Sequence, residues 1–338
     1  MSFCTGENVV CSWMKVLLTA AQTGLGRRVA ASLAGDGVTV RSASGAIPAL
    51  EEFRDIDVVV HLSAGDHDAL AARGTNAIDG FPGLIAGLNK FGIERMVLLS
   101  SAMVYGAWPN NPVPLTEDSP LRPDASFAFA HQLAQVEGLL DGWRCEDPAR
   151  QVAVLRPVLA LASDSESSVV RALAAGMGHR FAEDDAPAQF LHLDDLAQAV
   201  RVAVLGHLDG VYNVAPDGWV TGERVRALSG QGPRLKVPDR ISDLIANLGW
   251  RFQRGPLPPG LVPYVRHPWL VSNDRLREAG WQPSITNEQS YVEGTEAKWW
   301  TMLTPKRKQE LALGGMVAVV VAAVILTVAA VRRRRRTH

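Results

Sequence analysis

The sequence predicts an α/β protein built on a doubly wound parallel sheet, with one apolar helix near its C-terminus. Short Val- and Leu-rich runs alternate with amphipathic stretches, and the first alternation, residues 15–40, reads strand, turn, helix, strand. The turn within it is Thr19-Ala20-Ala21-Gln22-Thr23-Gly24-Leu25-Gly26. Small residues belong there when backbone amides at a helix N-terminus are to approach a phosphate. The third observation is 311–331, a stretch of 21 residues with no charge.

Composition fits this class. A chain of 338 residues can bury a substantial core, and 47% hydrophobic with 20% charged residues is ordinary for a globular α/β protein carrying an added apolar segment. The formal net charge of −1 gives no reason to expect a nucleic-acid partner. Three cysteines, Cys4, Cys11 and Cys145, form neither a metal-ligand pattern nor a disulfide framework, so no metal is expected and a reducing compartment fits. Residues 1–13 lack a basic region followed by an apolar run, so they read as an extension rather than a secretory signal.

Taken in order, 15–19 (Lys-Val-Leu-Leu-Thr) is a short buried strand. Residues 26–34 form a helix with Leu25, Val29 and Leu33 on one face. Asp36-Gly37 ends it, and Val38 opens a second strand closing at Arg41-Ser42. An acidic residue at that strand end would favour NAD and a basic one NADP, so Arg41 favours NADP if a dinucleotide binds. A solvated arginine is the plain alternative. Only 42–56 separates this strand from the next, which is short for a helix, a further strand and a second connection. Residues 57–62 form a fully buried strand in which His61 reads as a packing residue. A helix over 84–91 leads into the strand 96–100, and another helix begins at about Ser126.

Several stretches together resemble one family. They are Asp57-Val58-Val59-Val60-His61-Leu62-Ser63-Ala64, Ser100-Ser101-Ala102-Met103-Val104-Tyr105-Gly106, and the Pro-rich loop 112–123. Further on stand Arg156-Pro157, Phe190-Leu191-His192-Leu193-Asp194-Asp195, Gly210-Val211-Tyr212-Asn213-Val214 and Gly280-Trp281-Gln282-Pro283. Over about 14–293 the chain resembles the extended short-chain dehydrogenase/reductase superfamily, the NAD-dependent epimerase/dehydratase family. The resemblance implies a Rossmann-type sheet with a small C-terminal α/β substrate subdomain, mainly 158–189 and 215–300. It also implies a nucleotide-sugar or dinucleotide ligand and a homodimer.

The resemblance places Ser101 at the catalytic hydroxyl position. The family's tyrosine and lysine positions fall on Phe129 and Leu133, and 126–140 contains neither Tyr nor Lys. His131 is the nearest titratable group, on a different helical face. The family's Thr-Gly-x-x-Gly-x-x-Gly turn keeps only its third glycine, Gly26, while Ala20 and Thr23 replace the first two. The residues implied for the cofactor are Thr23, Gly24, Leu25, Gly26, Arg41, Leu62, Ser63, Ala64 and Ser100. Asp194 or Asp195 is expected to cap a helix.

Beyond 14–300 come a linker at 301–310, the apolar segment 311–331 and a basic tail at 332–338. Twenty-one residues in a helix span about 30 Å, the thickness of a bilayer's hydrocarbon core. Arg332 to Arg336 follow directly, so 311–331 reads as a single C-terminal anchor in the membrane. The positive-inside bias favours a cytoplasmic tail, whereas a large domain without a signal favours a cytoplasmic domain; the second argument is preferred. Two functions follow: a membrane-tethered family member that binds a nucleotide-type ligand without the standard catalysis, or an active oxidoreductase or epimerase on a nucleotide sugar or lipid-linked substrate, using Ser101 and an unusual acid such as His131. A scaffold with no ligand is the third reading.

Overall fold

Runs of branched apolar residues set the centre of the molecule. In the computed structural model β1 (Met14–Leu18), β2 (Val38–Ser42), β3 (Val58–His61), β4 (Arg95–Leu99), β5 (Gln151–Pro157) and β8 (Gly210–Val214) form a six-stranded sheet in the order β2-β1-β3-β4-β5-β8. Every pairing is parallel. The structure describes residues 14–35, 37–45, 47–62, 78–124, 127–165, 167–177, 186–229 and 259–295, all within one unit spanning 1–296. The extension 1–13 and the apolar segment 311–331 lie outside the described residues. Among those described, no helix is long and apolar enough to cross a membrane.

Strands buried on both faces need continuous apolar runs. In β1 and β3, Val16, Leu17 and Leu18 lie beside Val58, Val59 and Val60, none more than 1% exposed. Each such side chain contributes on the order of 1.5–3 kcal/mol from burial. Helix α1 (Gly24–Leu33) buries Val29 and Leu33. It begins two residues earlier than the apolar periodicity indicates, because Thr23 caps it. After α2 (Phe81–Phe91) and β4, helix α3 (Ala128–Cys145) carries Phe129, Leu133, Val136 and Leu140 inward.

The short connection after β2 behaves as its length requires. It holds one 3-10 turn, Leu50–Phe53, and the next strand, β3, joins the far side of β1. No strand among the described residues lies outside β2. The chain therefore moves one way from β1 to β2 and the other way from β3 to β4, which creates a switch point between β1 and β3.

The smaller C-terminal assembly begins with β6 (Leu159–Leu161), paired in parallel with β7 (Phe190–His192). Helices α4 (Ser168–Gly176), α5 (Leu193–Leu205), α6 (Gly222–Ser229), α7 (Val262–Arg266), α8 (Asp274–Glu278) and α9 (Asn287–Gly294) complete the described elements. Tyr291 of α9 packs on Phe190 with ring centroids 4.7 Å apart.

The expectation that Asp194 or Asp195 caps α5 is corrected. His192 is the cap, its Nδ1 accepting from the Asp194 N–H at 3.2 Å. Asp195 is turned the other way and accepts from the N–H and hydroxyl of Ser284, at 3.0 and 2.6 Å, and from the Ile285 N–H at 3.0 Å. The indole N–H of Trp281 donates to the Asp195 carbonyl at 3.0 Å. Asp195 caps nothing because its carboxylate is already taken by the turn at Ser284 and Ile285.

His61 packs as expected. It is 1% exposed, edge-on to Phe81, with Nδ1 3.3 Å from the Thr19 hydroxyl oxygen. Burial pushes its pKa down to about 4 from 6.5. Between those values the unfolded chain binds a proton that the folded chain does not, so this contribution to stability is present above pH 6.5 and lost as pH falls toward 4. The full loss is on the order of 3 kcal/mol. Urea unfolding from pH 4.5 to 7 is expected to give a shallower pH slope for His61→Gln than for the parent chain. Equal slopes would refute the assignment.

Candidate functional site

The C-terminal ends of the sheet strands surround a cavity of about 430 Å³ at the switch point. Ala20 follows β1, Leu62 follows β3, Ser100 and Ser101 follow β4, and Val158 follows β5; all line it. Phe129 from α3 and Trp269 from the C-terminal region complete much of its apolar wall.

The turn from β1 into α1 forms one side. Ala20 occupies the left-handed region at φ +52°, where a glycine would be unstrained. The cost to a residue with a Cβ is about 1 kcal/mol. Thr23 spends its hydroxyl on the turn itself: Oγ1 donates to the Ala20 carbonyl at 2.8 Å and accepts from the Gly26 N–H at 3.0 Å. Of the helix's first amides, those of Gly24 and Leu25 have no carbonyl of their own helix to bond. Gly26 serves helix–strand packing: a Cβ there would stand 2.1 Å from the Ala20 carbonyl oxygen.

A cluster of charges stands against this turn. Arg28 grips Asp164 with both terminal nitrogens, each at 2.8 Å, and gives Nε to Asp194 at 2.6 Å. Its Nη1 also donates to the Gly24 carbonyl at 3.0 Å. The guanidinium's hydrogen bonds hold the Asp164 carboxyl below the usual carboxylate range. Asp164 is the only charged residue among the described residues lining the cavity.

The opposite side comes from β4 and α3. Ser101 is half-buried, and its hydroxyl oxygen accepts from the Met103 N–H at 3.2 Å, capping a 3-10 turn over Ala102–Tyr105. Phe129 lines the cavity, whereas Leu133 is fully buried and does not. His131 is exposed and is not among the residues lining the cavity. Ser100 donates to Glu137, which lies beneath the wall. Arg156 completes a buried network: Nε is 3.1 and 3.2 Å from the two Glu137 oxygens, Nη1 donates to the Tyr105 hydroxyl at 2.7 Å, and that hydroxyl donates to Asn213 at 2.8 Å. Burial pushes the Tyr105 phenol up from its ordinary value, with Arg156 acting against it. Neither this phenol nor the Glu137 carboxylate replaces the family's acid, since both are committed to Arg156.

Thr23, Gly24, Leu25, Leu62, Ser100 and Ser101 are thus brought together at one cavity. Gly26 supports it from behind. Arg41 is not among its lining residues; it is exposed at the end of β2, with Nη1 donating to the carbonyls of Arg54 at 2.9 Å and Glu52 at 3.4 Å. Ser63 and Ala64 lie outside the described residues. Sequence reasoning missed Asp164 and Arg28. Nothing in spacing joins residues 136 positions apart, and the Ser-rich run 163–168 around Asp164 reads as an ordinary polar loop.

Doubly wound α/β proteins take nucleotides outside the strand ends at a switch point, and this architecture defines that class. The family follows from comparison. The NAD dependent epimerase/dehydratase family matches residues 23–215, more than half of the chain, and the chain belongs to that family. An uncharacterized protein of Mycobacterium tuberculosis (strain H37Rv) is 26% identical over 244 residues, covering 70% of this chain and 64% of its own. The chain therefore spans less than two thirds of the length of the curated relatives it matches.

Among solved structures, a short-chain dehydrogenase/reductase superfamily protein from Agrobacterium tumefaciens with bound NAD superposes with a TM-score of 0.60 at 20% identity, over 89% of this chain and 99% of that one. The Thermus thermophilus UDP-glucose 4-epimerase complex with NAD gives 0.58 at 19%, over 83% and 97%. At such identities the likeness speaks to the fold.

Proposed function

We propose that the chain is a membrane-anchored member of the NAD-dependent epimerase/dehydratase family that binds a nucleotide-type ligand without performing the family's proton transfer. The observation that carries this reading is the α3 wall of the cavity. Phe129 stands where the resemblance puts a phenol, Leu133 is fully buried where it puts an ammonium, and His131 faces away. General acid–base catalysis needs a titratable group within hydrogen-bond reach of the reacting atom. Ser101 alone offers a hydroxyl and no partner base.

The remaining residues fit a nucleotide in part. The amides of Gly24 and Leu25 are the groups that would hold a phosphate, and Ser100, Ser101 and Leu62 would flank whatever follows it into the cavity. A bound dinucleotide would supply hydride chemistry; the chain itself would bind, orient and exclude water. Arg41 at the end of β2 favours NADP over NAD, and Glu52 is folded back onto the N–H groups of Ser44 and Ala49. Anchoring rests on the uncharged stretch 311–331 and the arginines after it, with the large domain on the cytoplasmic side.

The test is a calorimetric titration of NADPH and NADH into the full chain in detergent micelles, followed by an assay for turnover. Binding of at least one cofactor with no turnover is expected. No binding at millimolar concentration would overturn the ligand, and turnover lost on Ser101→Ala would overturn the absence of catalysis.

A further inference from the structure

The charges at the mouth of the cavity have the wrong sign for a phosphate. In a nucleotide site the first turn of the helix offers positive partial charge, and nearby cations are free to join it. Here the one charged residue on the described wall is Asp164. Its carboxylate lies against the first turn of α1, where a Cβ on Gly24 would meet Oδ2 at 3.4 Å. The nearest guanidinium is already engaged, with Arg28 giving both terminal nitrogens to Asp164, Nε to Asp194 and a further bond to Gly24. The neighbouring Arg27 is turned to the Gln22 carbonyl. One guanidinium between two carboxylates leaves a net negative charge.

A bidentate guanidinium–carboxylate fork has the same geometry as a guanidinium–phosphate fork. We propose that Asp164 is an internal anion that occupies the phosphate position of this site, so that a phosphate-bearing ligand enters only by displacing Asp164 from Arg28. The inference rests on the nucleotide reading above and adds its regulation. Three features suit such an exchange. Asp164 is 44% exposed and Arg28 23%, so the fork opens to solvent rather than into the core. Asp164 lies in the loop between β6 and α4, beside a turn closed by the Ala162 N–H and Ser165 hydroxyl at 2.7 Å, which holds without it. Asp194 keeps Arg28 in place from the other side after Asp164 leaves.

The experiment titrates NADPH, NADH and inorganic pyrophosphate into the full chain in detergent micelles at low salt. The proteins are the parent, Asp164→Asn, Arg28→Ala and the double variant, each first checked for an unchanged circular dichroism spectrum. Asp164→Ser serves if Asp164→Asn fails to fold. Removing the carboxylate is expected to tighten NADPH or pyrophosphate binding at least tenfold, and adding Arg28→Ala is expected to abolish the gain. Equal binding by parent and Asp164→Asn would overturn the exchange while leaving the nucleotide reading standing. A gain that survives Arg28→Ala would also overturn it, because the carboxylate would then act by repulsion without holding the phosphate's place. No binding by any of the four would defeat both.

Discussion

Glu137→Ala is expected to destabilise the folded chain by about 3–5 kcal/mol, among the largest effects of any single substitution here. Glu137 and Arg156 are each 6% exposed. Two charges out of water repay their desolvation only through each other and through the hydrogen bonds around them. Removing the carboxylate strands a guanidinium that cannot deprotonate, and it also takes the acceptor from Ser100. Tyr105 is a poor substitute, since its hydroxyl already accepts from Arg156 and carries no charge to balance the guanidinium. For a chain of this size the loss corresponds to a fall of roughly 10 °C in Tm. Replacing both partners by apolar residues of similar volume, Glu137→Leu with Arg156→Met, is expected to recover most of it. Thermal melts of the parent and the two variants provide the check. A single variant melting with the parent would show that the pair is solvated in solution.

The second large effect is expected at the turn into α1. A Cβ on Gly26 would lie 2.1 Å from the Ala20 oxygen, 2.6 Å from the Ala21 Cα and 2.8 Å from the Ala21 carbonyl carbon. All three are backbone atoms, so no side-chain rotation relieves them. The turn and the helix must separate, and Gly26→Ala should cost about 3 kcal/mol while widening the cavity wall at Ala20. Gly24→Ala is the internal control: its nearest neighbours stand at 3.4–3.5 Å, ordinary contact, and its stability should change far less. Parallel urea titrations read the difference. Similar midpoints for the two would mean the turn is plastic enough to absorb a methyl group.

The sheet was legible in the sequence because buried parallel strands are written as short runs rich in Val and Leu, as in Val58-Val59-Val60 and Val97-Leu98-Leu99. The missing outer strand was legible too, from the shortness of 42–56 alone. Helix starts were less so. Thr23 and His192 cap their helices through side-chain geometry, and Asp195 looks like a cap by position although its carboxylate points to Ser284. At the site, Ala20, Thr23, Phe129 and Leu133 could each be placed one position at a time. What could not be read were relations between distant residues. The fork of Arg28 on Asp164 and the Ser100–Glu137–Arg156 network each depend on which strand lies beside which. Arg41 shows the converse: its position at the strand end was right, yet its guanidinium reaches for two carbonyls of the next loop.

The start of α5 carries two adjacent carboxylates that face opposite ways. Asp194 reaches back to Arg28 of α1, and Asp195 reaches forward to the turn at Ser284 and Ile285. Mechanically this makes the first turn of α5 a pivot pin between the strand-end cavity and the C-terminal segment. Tilting either against the other would have to shear a carboxylate from its donors. An anion exchanging for Asp164 on Arg28 would therefore leave both sides of the pin fastened, since Asp194 keeps its own hold on the guanidinium.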